Sequence, residues 1–94
     1  MRIKHKVSLL SISRRVLKKV KCVHTKLNLK FEKTNYYPVT YILTVDGEDL
    51  GVEVSFEYID NLIGIPSDVT KRYEYAIDHM YYESLHAISK WKMK

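Results

Sequence analysis

An α+β fold in the order α-β-β-β-α is predicted by three features of the 94-residue sequence. A strongly amphipathic segment follows Ser8. Three segments then alternate apolar and polar side chains around an Asp46-Gly47 turn, and from Val69 apolar residues recur at helical spacing. The strands share one apolar face, and such a face needs a cover, which the two helices supply. The predicted arrangement is a three-stranded antiparallel meander covered by a basic N-terminal helix and a long C-terminal helix. It forms one compact domain over residues 1–94, with an extra N-terminal strand allowed from Arg2 to Val7.

The first helix rests on Leu9, Ile12, Val16, Val20, Val23 and Leu27, which gather on one side of a helical wheel. Arg14, Arg15, Lys18, Lys19 and Lys21 fall on the opposite half, and Ser8 or Ser11 is placed to cap the start. A period of two then takes over. Val23, Thr25, Leu27, Leu29 and Phe31 alternate with His24, Lys26, Asn28, Lys30 and Glu32, the pattern of a half-buried strand, with the handover between Lys19 and His24. Residues 34 to 38, ending in Pro38, read as a connection, since proline cannot donate to a ladder.

The second strand runs from Val39 to Val45, with Val39, Tyr41, Leu43 and Val45 on one side. Asp46-Gly47 suits the positive backbone angles of a tight hairpin turn, and Gly51 is a second permissive position. Val52, Val54, Phe56 and Tyr58 alternate with Glu53, Ser55 and Glu57 as a third strand. Asp60 to Gly64 reads as one turn of helix closed by its glycine. The last helix enters at Pro66-Ser67 and places Val69, Tyr73, Ala76, Ile77, Met80, Ser84, Ala87, Ile88 and Trp91 on one face. Asp68 at its start and Lys90, Lys92 and Lys94 at its end match the helix dipole.

Charge divides the chain in two. Residues 1 to 33 carry 11 Lys/Arg and only Glu32 in opposition, a net of +10, whereas residues 34 to 94 carry 5 against 10 acids, a net of −5. The basic helix has no acid at i,i+4, so its charge is not neutralised within the helix. Lysines and arginines on one helix face approach phosphates and release counterions, which favours a nucleic-acid partner without base contacts. The candidate nucleic-acid-binding residues are Arg14, Arg15, Lys18, Lys19 and Lys21, extended by Lys26 and Lys30. The competing expectation is a solvated face that pairs with the chain's own acids, Asp46, Glu48, Asp49, Glu53 and Glu57.

The order α-β-β-β-α, with Tyr41-Ile42-Leu43-Thr44-Val45-Asp46-Gly47 followed by Gly51, resembles the double-stranded-RNA-binding domain over about residues 9 to 91. The resemblance implies a shape, helices on one face of a meander. That family holds phosphates across a groove with a lysine cluster at the start of its second helix. The matching region here, Ser67 to Arg72, offers only Lys71 and Arg72 beside Asp68.

A second constellation lies on the outer face of the last helix. Tyr75, His79, Tyr82 and His86 fall in a row away from the apolar arc, suited to anchoring a protein partner or a twin subunit, or to stacking bases. His79, Glu83 and His86 could chelate only in pairs, because His79 and His86 lie about 10 Å apart along the axis. No metal site or cofactor is therefore expected. Cys22, the only cysteine, excludes an internal disulfide and a cysteine zinc cluster and fits a reducing compartment. Two residues from His24 and without a third orienting group, it does not form a nucleophile pair. No phosphate-cradling glycine loop or H-E-x-x-H helix is present, so the expected class is a non-enzyme.

No apolar run approaches a membrane span, and the apolar stretch that follows the basic start breaks at Arg14-Arg15, too early for a secretion signal. The expectation is a small cytoplasmic or nucleoplasmic binding protein that engages nucleic acid, or acts inside a host cell if viral. The alternative is a viral- or phage-type accessory module or inhibitor that grips an acidic or nucleic-acid-handling protein. A third reading is a homodimer that sets the basic end of one chain against the acidic side of another.

Overall fold

The computed structural model describes residues 7–63 and 69–93 of the chain. Its elements are α1 (Leu9–Val23), β1 (Leu29–Tyr36), β2 (Val39–Val45), β3 (Glu48–Ser55), α2 (Phe56–Ile63) and α3 (Val69–Lys92). The strands form one antiparallel sheet in the order β1-β2-β3, so the α+β class and the meander stand as expected; the helical turn expected from Asp60 is a longer helix, α2, and its closing Gly64 lies outside the described residues. The expected strand at Arg2–Val7, Val7 apart, and the helix entry at Pro66-Ser67 lie outside the described residues, as do the side chains of Lys71 and Arg72.

Ser8 is the N-cap of α1. Its Oγ accepts from the Ser11 N–H at 3.1 Å, satisfying one of the donors a helix start leaves over. The helix continues to Val23 and closes on His24, whose N–H donates to the Val20 carbonyl at 2.9 Å. The alternation that suggested a strand from Val23 is therefore strand only from Leu29 onward, and Val23 is exposed. The reason is geometric: α1 must reverse onto the sheet, and residues 24 to 28 are consumed in that turn.

β1 runs through the expected connection to Tyr36. An irregularity between Lys33 and Asn35 absorbs Thr34, and Tyr36 pairs directly with Val39 across a turn whose Tyr37–Pro38 peptide is cis. At the other hairpin Val45 pairs with Glu48, and Asp46 (φ 51°) and Gly47 (φ 82°) supply the two positive angles of a two-residue turn. The third strand stops at Ser55, because the Ser55 Oγ accepts from the Tyr58 N–H at 3.1 Å and caps α2. Phe56 and Tyr58 are thus helical and not the end of a strand, and the short helix starts four residues before Asp60.

Both long helices pack on one face of the sheet. Ile12, Val16 and Val20 of α1 and Ala76, Ile77, Met80 and Ile88 of α3 meet Leu29, Leu43, Val45 and Val54 in the core, each at most 1% exposed. Ile59 from α2 joins the same cluster. Burying residues of this size contributes roughly 1.5–3 kcal/mol each before entropy is subtracted. The α3 arc is buried as the wheel predicts from Tyr73 to Ile88, with Ala87 and Trp91 half-buried. Trp91 ties the end of α3 to the hairpin, its indole N–H donating to Glu48 Oε2 at 2.9 Å.

Candidate nucleic-acid interface

Burial of Ile12, Val16 and Val20 turns the five basic residues of α1 outward, and tertiary packing then divides them into two stripes. Arg15 and Lys19 face α3. The Arg15 guanidinium donates to Glu74 Oε1 at 2.5 Å, and the Lys19 ammonium donates to Asp78 Oδ1 at 2.5 Å. Lys19 also lies 5.1 Å from the centre of the Tyr81 ring. The bond to Asp78 holds the Lys19 ammonium above its ordinary pKa, so its proton is committed to this pair.

The competing expectation, that the chain's own acids answer the basic helix, thus holds for two residues, but the acids differ from those expected. They come from α3 and not from the Asp46–Glu57 region. These pairs are half exposed, so each contributes only about 0–1 kcal/mol.

Arg14, Lys18 and Lys21 form the second stripe, at i, i+4 and i+7 on the side of α1 toward β1. All three are exposed, and among the described residues none has an acid within ion-pair distance. They span about 10 Å along the helix axis. Lys26 follows in the exposed turn after α1 and Lys30 on β1, so the cationic surface continues around the corner of the fold. The floor beside it is apolar. Leu10, Leu17 and Phe31 line a shallow groove between α1 and β1, with Arg14, Lys21 and Lys30 on its walls and Glu32 its one acid. The sequence alone gave no sign of this groove, because its two sides are joined only by packing.

The row on α3 is also placed as expected. Tyr75 and Tyr82 are 54% and 67% exposed, His86 is exposed and His79 is half-buried. The Tyr75 and His79 rings stack with centroids 6.4 Å apart. Glu83 Oε1 accepts from the Tyr58 hydroxyl at 2.6 Å and lies 3.0 Å from His79 Nε2. Burial, reinforced by that carboxylate, raises the Tyr58 phenol well above its usual pKa. Glu83 therefore joins α3 to α2. Among the described residues no group of three or more His, Cys, Asp or Glu is placed to hold a metal.

Cys22 is exposed on the last turn of α1, and His24 caps the helix, so the two do not share a strand face. Burial and the charge of Lys92 lower the His24 imidazole below its ordinary value. Sequence reasoning passed over Tyr36 and Tyr37, which are 78% and 81% exposed at the tip of the first hairpin; the Lys33 ammonium lies 4.5 Å from the Tyr36 ring centre. Their position in a turn was the available signal.

Among the described residues no helix is long and apolar enough to cross a membrane. No protein-family model, curated protein or solved structure matches this chain, and the likeness to the double-stranded-RNA-binding domain remains one of element order alone.

Proposed function

We propose that this is a non-enzymatic binding protein that engages nucleic acid through the outer stripe of α1, Arg14, Lys18 and Lys21, continued by Lys26 and Lys30. The observation that carries the reading is the division of the basic helix. Arg15 and Lys19 are occupied by α3, whereas the remaining cations are exposed without an acid partner among the described residues. Unanswered positive charge at this density attracts a polyanion, and release of condensed counterions makes the association favourable. Arg15 and Lys19 serve a different end in this scheme: they hold α1 in register with α3 and present the outer stripe.

Fluorescence anisotropy against short single- and double-stranded DNA and RNA, titrated in salt, tests the proposal. Five phosphate contacts give a slope of log affinity against log salt of about −3.5 to −4.5. Reversing Arg14, Lys18 and Lys21 to glutamate removes three of them and adds repulsion, and binding at physiological salt is expected to vanish. Binding that survives this reversal overturns the assignment. A slope near zero in the unaltered protein does so as well, and leaves the groove between α1 and β1 to an acidic protein partner.

A further inference from the structure

Phosphate binding needs only the cations of α1, yet the groove between α1 and β1 holds more than cations. It has a volume of about 310 Å³, with Arg14, Lys21 and Lys30 on its walls and Leu10, Leu17 and Phe31 as its floor. Leu10 is 40% exposed, and Leu17 and Phe31 rest against the core on one side only, half-buried, so an apolar strip lies open between the charges. A second shallow hollow shares Arg14, Leu17 and Lys21 with the groove and carries the strip on toward Cys22 and Thr25. Two polar groups edge the floor. Glu32 stands at the β1 side with an acceptor-only carboxylate. On the α1 side Leu10, Ser13 and Leu17 succeed one another at i, i+3 and i+7, and all three line the groove. The Ser13 Oγ is the one buried side-chain polar atom among the described residues that lacks a hydrogen-bond partner.

We infer that this groove receives an unpaired base of a single-stranded nucleic acid, seated on Phe31 and Leu17 with the flanking phosphates on Arg14, Lys21 and Lys30. Such an occupant presupposes the nucleic-acid reading given above, which it narrows to unpaired strands. The charges select it. Arg14, Lys18, Lys21 and Lys30 are exposed and have no ion-pair partner among the described residues, and Glu32 is the only acid in residues 1 to 33. A strand laid beside the stripe from Arg14 to Lys21, about 10 Å along the helix, keeps its phosphates on the cations while a base turns to the apolar floor. A base seated between Leu10 and Leu17 brings its edge to the Ser13 hydroxyl, which can donate or accept, and its ring or amino N–H groups toward Glu32.

Other anionic ligands match only part of this surface. A duplex keeps its base faces inside the stack, so it reaches the walls and leaves the floor uncovered. A fatty acyl chain suits the floor but offers nothing to the Ser13 hydroxyl, and its acidic head is repelled by Glu32. An unpaired nucleotide supplies a flat apolar face, a polar edge and a phosphate on either side. A positively charged groove with an aromatic side chain on its floor is the general arrangement by which proteins hold single strands without reading their sequence.

The test compares two strands that differ only in their bases. Fluorescence anisotropy of the full chain is measured against an oligothymidylate of about ten nucleotides and an abasic strand of the same length and phosphate count. The thymidylate should bind about tenfold more tightly, the effect of one stacked base. Both strands should show the same salt slope, since both offer the same phosphates. Phe31→Ala should bring the thymidylate down toward the abasic strand without changing the abasic affinity. Leu10→Ser, at a more exposed floor residue, should act in the same direction and gives a second variant that spares the core, with circular dichroism reporting the fold of each. Equal affinity for the two strands overturns the base site and leaves phosphate binding standing. Folded variants that weaken both strands alike, or neither, overturn the groove as the place where the base sits. Failure of the unaltered chain to bind either strand removes the base site together with the nucleic-acid reading.

Discussion

Ser13 shows how a single side chain can work against its own element. It lies on the buried side of α1, 1% exposed, and its Oγ has no hydrogen-bond partner among the described residues. Ser84, the equivalent small polar residue of α3, is also buried but donates to the Met80 carbonyl at 2.7 Å. The difference matters because a buried hydroxyl left unpaired costs about 1–3 kcal/mol, whereas a paired one is close to neutral. Ser13→Ala should therefore raise stability by about 1 kcal/mol, helped by the better helix propensity of alanine, and Ser84→Ala should not. Urea denaturation of the two variants beside the unaltered chain reads this directly: equal or opposite shifts in midpoint would refute the distinction. The helical wheel placed Ser84 on the apolar arc, but it could not say which of the two hydroxyls finds a carbonyl.

Element boundaries turn on similarly local events. Val52, Val54, Phe56 and Tyr58 alternate as a strand should, yet β3 ends at Ser55 because that hydroxyl captures the Tyr58 N–H and starts α2. The same chemistry starts α1, where the hydroxyl of Ser8, one of the two caps that the sequence offered, accepts from the Ser11 N–H. What misled at Ser55 was competition between a period-two pattern and a cap of one hydroxyl. Tertiary packing of Ile59 against β3 and α3 decides it in favour of the helix. At Val23 the error ran the other way, since alternation from Val23 to Phe31 continued across a turn where no ladder exists. The Asp46-Gly47 turn and the arc of α3 were legible because each is dictated by residues within one or two turns of chain. Ser55→Ala should loosen α2 and cost about 1 kcal/mol, within the usual range for a lost N-cap. Hydrogen exchange should show the loss concentrated in residues 56 to 63, and a uniform change through the sheet would mean the hydroxyl matters for packing instead.

At the scale of the whole molecule the opposed fields of +10 and −5 do not cancel by simple proximity in sequence. Among the described residues the ion pairs to α1 come from Glu74 and Asp78, 59 residues beyond Arg15 and Lys19, and not from the acids nearer in the chain. No pattern in the sequence could name those partners, because only the packing of α1 beside α3 brings them together. That packing has a consequence for the proposed nucleic-acid interface. If Arg15 and Lys19 are withheld from phosphates by their carboxylates, releasing them should add contacts. Glu74→Gln/Asp78→Asn removes two half-exposed pairs at a cost of about 0–1 kcal/mol each, so the fold should be retained. Two further phosphate contacts should steepen the salt slope by about 1.4–1.8 and tighten binding at low salt. Glu53→Gln/Glu57→Gln changes net charge by the same amount on acids that pair with neither cation, and it should leave the slope unchanged. An equal response in the two double variants would show that binding follows overall charge and not the arrangement of α1. A steeper slope in the first alone would show that α3 sets how much of the basic helix a polyanion can reach.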